Sequence, residues 1–301
     1  FSADMNSAAV KRIDDVRILR QHQFPEDAGP MAHPVRPASY VEINNFYTMT
    51  VYNKGAEVIR MLQILLGEDK FTAGVKLYLK RHDGQAATCD DFVKAMEDAG
   101  QRDLTQFRNW YSQAGTPQVL IRSEYDAEQQ SLRLNVLQHC PPTPEQQEKQ
   151  PFHIPLAIGL LDADGNDIPL QLAGEQAGGS TTRVLELTVQ EQSFTFVGLP
   201  EKPVVSPLRG FSAPVRLKCD FIDEELAFRM AHDSDSYNRW EAGQTLALKE
   251  LLRMLADLEQ GRQFALSPKF VTAWRHALED RTADMGLLTQ LLTLPSEQYL
   301  A

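Results

Sequence analysis

Asn109-Trp110-Tyr111-Ser112-Gln113-Ala114-Gly115-Thr116-Pro117-Gln118-Val119 marks the point where the chain changes its structural period. On its N-terminal side, Leu104, Phe107, Trp110 and Tyr111 recur at helical spacing. Asp103 is placed to cap that helix and Gly115 to end it. On its C-terminal side the period is two. Leu132, Leu134 and Val136 alternate with Ser131, Arg133 and Asn135, as in a strand buried on one face. Strands that follow helices, with no helix between them, predict a mixed α+β chain of several domains.

Working back from that point, the run Phe46 to Leu66 carries Val51, Val58, Ile59, Leu62 and Leu65 on one side, with Gly67 as its stop. Phe71, Val75, Tyr78 and Leu79 mark a second helix. Thr88-Cys89-Asp90-Asp91 forms a capping box, with Asp91 in place of the usual Glu, ahead of Phe92, Ala95 and Met96. Phe24 to Pro37 is polar and proline-rich and reads as a connection.

Working forward, Ile154, Leu156, Ile158 and Leu160 repeat the alternation. Asp164-Gly165 supplies a turn before a further strand at Ile168, Leu170 and Leu172. Strands are also expected over Arg183 to Val189, Phe194 to Val197 and Val215 to Leu217, which together predict a small β-sandwich. Cys140 to Gln150, rich in Pro, Gln and Glu, is expected to be a mobile loop. After Asp223, a possible cap, helical spacing returns through Leu246, Leu248, Leu251, Leu252 and Leu255 to Gly261. Ser267-Pro268 then opens a helix with Phe270, Trp274 and Leu278. Such helix pairs predict the start of a solenoid or bundle, which needs neighbours to cover its open face.

The 301 residues carry a formal net charge of −11, which argues against nucleic acid as a partner. No run reaches the roughly 20 apolar residues of a membrane helix. Cys89, Cys140 and Cys219 are odd in number and widely spaced, which fits a reducing compartment, and a cytoplasmic location is expected. The seven histidines offer no His-x-x-x-His pair, and HExxH, GxSxG and Walker A patterns are all missing from the sequence. Asp162 to Asn166 is like a calcium loop, but Ala173 stands where the bidentate Glu would be needed. A hairpin turn is the better reading.

The segment from Glu42 to Val58, Glu-Ile-Asn-Asn-Phe-Tyr-Thr-Met-Thr-Val-Tyr-Asn-Lys-Gly-Ala-Glu-Val, resembles the tyrosine-bearing segment of the aminopeptidase N family of gluzincin metallopeptidases, in its bacterial branch. Met31-Ala32-His33-Pro34, Arg81-His82-Asp83-Gly84 and Trp110 to Pro117 extend the resemblance, as do His153-Ile154-Pro155 and Phe211 to Val215. It implies the tail of a thermolysin-like catalytic domain over 1–116, a β-sandwich over 117–218 and the beginning of a helical C-terminal domain over 219–301.

The resemblance also implies zinc as the cofactor of the intact enzyme, with its ligands upstream of Phe1 and none in this chain. It implies further parts of the same polypeptide on both sides, and peptides as substrates. Tyr52 matches the catalytic tyrosine, while Asn44 and Tyr47 match residues along the substrate cleft, Asn44 nearer the bound substrate. A phenol suits oxyanion stabilisation because it is neutral near pH 7 and can donate. Against this stands the general habit of tyrosines to pack with a satisfied hydroxyl. Lys54, Glu57 and Arg60 are expected at the helix surface or in ion pairs, and Trp110, Trp240 and Trp274 in the core. Two other functions are weighed: a related gluzincin of the epoxide hydrolase type, and a binding scaffold without catalysis.

Overall fold

A computed structural model describes residues 2–176, 178–263, 265–281 and 284–297. The chain begins with α1 (Ser2–Ile18), which passes through a π-helical turn, Leu19–Gln23, into α2 (Phe24–Ala28). Pro25 sits just after the π turn, which Phe24 N closes on Leu19 O. The stretch read as connection is therefore helical at its start, and Phe24 is buried.

The single helix expected from Phe46 resolves into three pieces. A 3₁₀ turn covers Ile43–Phe46, a π turn covers Thr50–Lys54, and the regular helix α3 runs only over Gly55–Leu66. Val58, Met61, Leu62, Leu65 and Leu66 form its buried stripe, and Gly67 ends it at φ +78°. α4 (Glu68–His82) and α5 (Cys89–Gly100) follow. Their axes approach so closely at Gly74 that a Cβ there would meet Met96 Sδ at 2.4 Å. The capping box is present: Asp91 N donates to Thr88 Oγ1 at 3.2 Å, and Thr88 N donates to Asp91 Oδ2 at 2.8 Å. Asp103 starts no long helix. Its Oδ1 accepts from Thr105 N at 2.8 Å, an Asx-type turn. Only a 3₁₀ turn (Gln106–Arg108) and the short α6 (Asn109–Ser112) follow, with Trp110 fully buried.

The β region contains β1 (Gln118–Asp126), β2 (Ser131–His139), β3 (Ile154–Leu161), β4 (Thr182–Leu187), β5 (Glu191–Val197), β6 (Val204–Pro207) and β7 (Arg216–Cys219). One sheet has the order β5-β2-β1-β7 and the other β4-β3-β6. All pairs are antiparallel except β1 with β7, where Gln118 stands opposite Arg216. β3 is buried at every position, because α3 packs against it as well as its own domain.

The strand expected at Ile168 to Leu172 does not form. Ile168 N bonds Leu160 O of the second sheet, while Leu172 bridges Phe196 of the first. Pro169 sits between them without an N–H, so the segment crosses from sheet to sheet rather than extending either. The Asp162–Asn166 turn is as expected, with Gly165 at φ +87° and Asp162 Oδ1 accepting from Asn166 N at 2.8 Å.

The loop expected to be mobile is pinned. Thr143 and Gln146 pair through their backbones, Gln146 Oε1 accepts from Ala114 N at 2.8 Å, and Gln146 Nε2 donates to Ser112 O at 2.8 Å. Lys149 Nζ adds a bond to Ala114 O at 3.0 Å.

The last region is helical: α7 (Asp223–His232), α8 (Ser236–Glu259), α9 (Pro268–Glu279) and α10 (Met285–Leu292). Asp223 is the first helical residue of α7 rather than its cap, which falls on Ile222. Asp235, Ser267 and Asp284 cap the other three through their side chains. One hydrophobic core runs from Ile13 through the inner faces of both sheets to Trp240 and Leu291. A second, smaller core lies among α7, α8 and α9, with Trp274 packed at its edge.

Candidate active site

The two tyrosines singled out from sequence stand together. Their ring centroids are 5.8 Å apart at an interplanar angle of 25°, a stacked pair. Tyr47 is 68% exposed and Tyr52 58% exposed. That is unusual for large aromatic side chains, which bury more area on folding than most. Asn44 lies one turn earlier, and its carbonyl accepts from Tyr47 N at 3.0 Å. Asn45, not Asn44, holds the turn with its side chain: Asn45 Oδ1 accepts from Val41 N and Glu42 N, both at 3.0 Å. Tyr40, also exposed, packs on Phe46 at 4.7 Å. A cavity of about 1040 Å³ between α1, α3 and the start of α8 is lined by Arg12, Glu57 and Tyr237 but by none of the three candidate residues. They face an open surface instead.

Beneath the exposed pair the turn is fastened from inside. Thr50 is fully buried. Its N and Oγ1 donate to Glu26 Oε1 at 2.8 and 2.5 Å, and Gln23 Nε2 donates to its hydroxyl at 3.2 Å. Lys54, expected at the surface or in an ion pair, is only 1% exposed and is paired. Lys54 Nζ donates to Asp27 Oδ2 and to Gly115 O, each at 2.9 Å. Thr116 Oγ1 completes the cluster with a 2.8 Å bond to Asp27 Oδ2. Burial pushes the Asp27 carboxyl up, but the Lys54 ammonium and bonds from Gln23, Lys54 and Thr116 outweigh it, so the group sits below the usual carboxylate range. Removing one partner of such a buried pair typically costs about 3–5 kcal/mol. Glu57 is likewise paired, with Arg12 Nη2 at 2.7 Å, and Arg60 Nη1 donates to Phe211 O at 3.3 Å.

None of Gln23, Glu26, Asp27 and Thr50 stood out in the sequence. The available signal was the four-residue spacing of Thr50 and Lys54, which puts both on one face.

Among the described residues no group of three or more His, Cys, Asp or Glu side chains is placed to hold a metal ion. The described residues therefore offer no zinc site of their own. The three cysteines are free, and no described helix is long and apolar enough to cross a membrane.

Comparison with known proteins gives these features a setting. Residues 5–111 match the Peptidase family M1 domain, which contains the whole tyrosine segment. Residues 115–220 match a domain of unknown function (DUF3458) with an Ig-like fold, and residues 223–301 one (DUF3458_C) with ARM repeats. Aminopeptidase N of Escherichia coli strain K12 is 48% identical over 301 residues, all of this chain. The chain belongs to the M1 peptidase family. Aminopeptidase N of Haemophilus influenzae is 47% identical and that of Caulobacter vibrioides 46%, again over the whole chain. This M1 chain spans 34% of the length of the first two relatives and 33% of the third, about a third in each case. Its fold matches the crystal structure of Legionella pneumophila aminopeptidase A in complex with aspartic acid, with a TM-score of 0.76 at 27% identity. That likeness covers 91% of this chain and 30% of the other. The helical M1 end, Ig-like β domain and ARM-like helices agree with the mixed α+β architecture read from the period changes.

Proposed function

We propose that the polypeptide carrying this chain is a metallo-aminopeptidase that removes residues from the N-termini of peptides, and that Tyr52 donates a hydrogen bond to the oxyanion of the tetrahedral intermediate. The observation that carries the reading is the exposed Tyr47–Tyr52 stack on a turn whose Thr50 and Lys54 side chains are buried and fastened. A ring held at the surface by its backbone, and not by its own burial, is available to a substrate. Asn44 and Tyr47, on the same face, line the cleft. We divide the chain into a catalytic-domain tail at 1–116, a β-sandwich at 117–218 and the beginning of a helical domain at 219–301. The cofactor of the full polypeptide is zinc, held by residues outside this chain. With three free cysteines, a cytoplasmic setting is the consistent one.

The test is Tyr52→Phe in the full-length polypeptide. The change keeps the ring and its stack on Tyr47, so the melting temperature should stay near wild type. Loss of an oxyanion donor lowers kcat by about 10²–10³ with a much smaller change in KM. Tyr47→Phe, which removes no donor to the oxyanion, lowers kcat less. Near-normal turnover by the Tyr52 variant returns that residue to a structural role.

A further inference from the structure

Accepting that Tyr52 acts in the reaction, as proposed above, leaves open what holds it in place. Its ring is more than half exposed, so packing supplies little beyond the stack on Tyr47. The turn that bears it is a π turn, closed by Gly55 N donating to Thr50 O. In i→i+5 bonding, residues four apart fall nearly on one face and the residue midway between them points the other way. Thr50 and Lys54 therefore point inward and Tyr52 outward, as their burial shows.

Both inward side chains end on consecutive acids of α2. Thr50 is held by Glu26, and Lys54 by Asp27. Lys54 reaches on to Gly115 O, at the joint where the helical region gives way to β1. We propose that Glu26, Asp27 and Lys54 form a positioning bracket for Tyr52, fixing its hydroxyl relative to the substrate and tying that position to the domain joint. The choice of an ion pair is itself informative. Apolar residues of similar volume often give equal or greater stability at a buried site, whereas a charged pair with defined hydrogen bonds favours one arrangement over others. π turns are also rare, and cluster at functional sites.

The experiment is a double-mutant cycle in the full-length polypeptide, with kcat, KM and melting temperature measured for each variant on one aminoacyl anilide. The ion pair of the bracket is removed with Asp27→Asn/Lys54→Met, which takes out both charges together and leaves Glu26 on Thr50. The amide can still accept from Thr116 and no lone ion is left buried, while Gly115 O loses one donor, so the melting temperature is read for each variant. The expected result is a fall in kcat of about tenfold to a hundredfold, as for a reacting group displaced by about 1 Å, with KM changed little. In a Tyr52→Phe background the same pair of changes should lower kcat no further, because a bracket acting through the hydroxyl has nothing to position once the hydroxyl is gone. Multiplicative losses would mean a general structural role and overturn the proposal. So would unchanged kcat in the bracket variant while Tyr52→Phe is slow, and in both cases the reading of Tyr52 stands. Near-normal kcat for Tyr52→Phe alone overturns that reading and this one with it.

Discussion

At Glu186, on β4, an arginine and a histidine from different parts of the chain meet one carboxylate. Arg102, just past α5, donates to Glu186 Oε2, and His153 Nε2 lies 2.8 Å from the same oxygen. The hydrogen bond from His153, opposed by partial burial and reinforced by Arg102, pulls the Glu186 pKa down to about 2. A carboxylate whose pKa is lower in the folded state stabilises the fold above its unfolded value, and the benefit disappears as pH falls through the folded value. The window here therefore runs from about 4.5 down to about 2. Glu186 is 39% exposed, so solvent screening limits its worth to about 1 kcal/mol rather than the full shift. Glu186→Gln should lower the melting temperature by a constant amount from pH 7 to about pH 5, and the gap to wild type should narrow below about pH 4.5. Thermal melts of both proteins across that range check this. A gap that widened below about pH 4.5 would show that Glu186 is not the ionised partner of Arg102 and His153.

At the scale of elements, legibility followed the range of the interactions that make each one. The Thr88–Asp91 box and the Ser267–Pro268 start rest on contacts within three residues, and both form as read. Tyr47 and Tyr52 were likewise found within one short segment, but their anchors were not, since Lys54 bonds partners 27 and 61 positions away. β1 went unread because Val119-Leu120-Ile121 gives a continuous apolar run, and its parallel partner β7 lies about a hundred residues on. The 140–150 loop misled for a physical reason. Its polar residues suggested solvent, but they serve as caps for the backbone after α6. Gln146 alone satisfies Ala114 N–H and Ser112 C=O. Gln146→Ala should leave the largely buried Ala114 N–H unpaired and cost about 1–3 kcal/mol. Limited proteolysis should find the wild-type loop resistant and the variant cut between Cys140 and Gln150. Rapid cleavage of the wild type would restore the mobile-loop reading.

Across the whole molecule, the three regions converge on the short connection between β6 and β7. Leu208, Gly210 and Phe211 have φ values of +54°, +59° and +53°. For the two non-glycine residues such a conformation costs on the order of 1–3 kcal/mol each, so the surrounding contacts must impose it. Gly210 N donates to Asp235 Oδ2 at 2.9 Å, and Asp235 is the residue that caps α8. Fully buried Phe211 packs edge-on to Tyr237 of α8 at 5.4 Å. Its ring also carries the guanidinium of Arg12 from α1 at 5.6 Å and that of Arg20 at 5.8 Å. Arg20 in turn reaches Glu241 of α8 at 2.6 Å. One β-region side chain thus sits between the first helix and the last helical region, inside a core that all three share. Phe211→Ala should cost about 3–5 kcal/mol, a large part of the 5–15 kcal/mol that holds a typical domain. Because the cavity opens where the regions meet, the loss should fall on all of them together. Denaturant unfolding followed by far-ultraviolet dichroism and by tryptophan fluorescence should show both midpoints moving down by the same amount. If the two midpoints separated, with the tryptophan signal of the helices moving and the dichroism of the whole chain lagging behind it, the regions would be independent units that merely touch at Phe211, and the shared core would have no energetic weight.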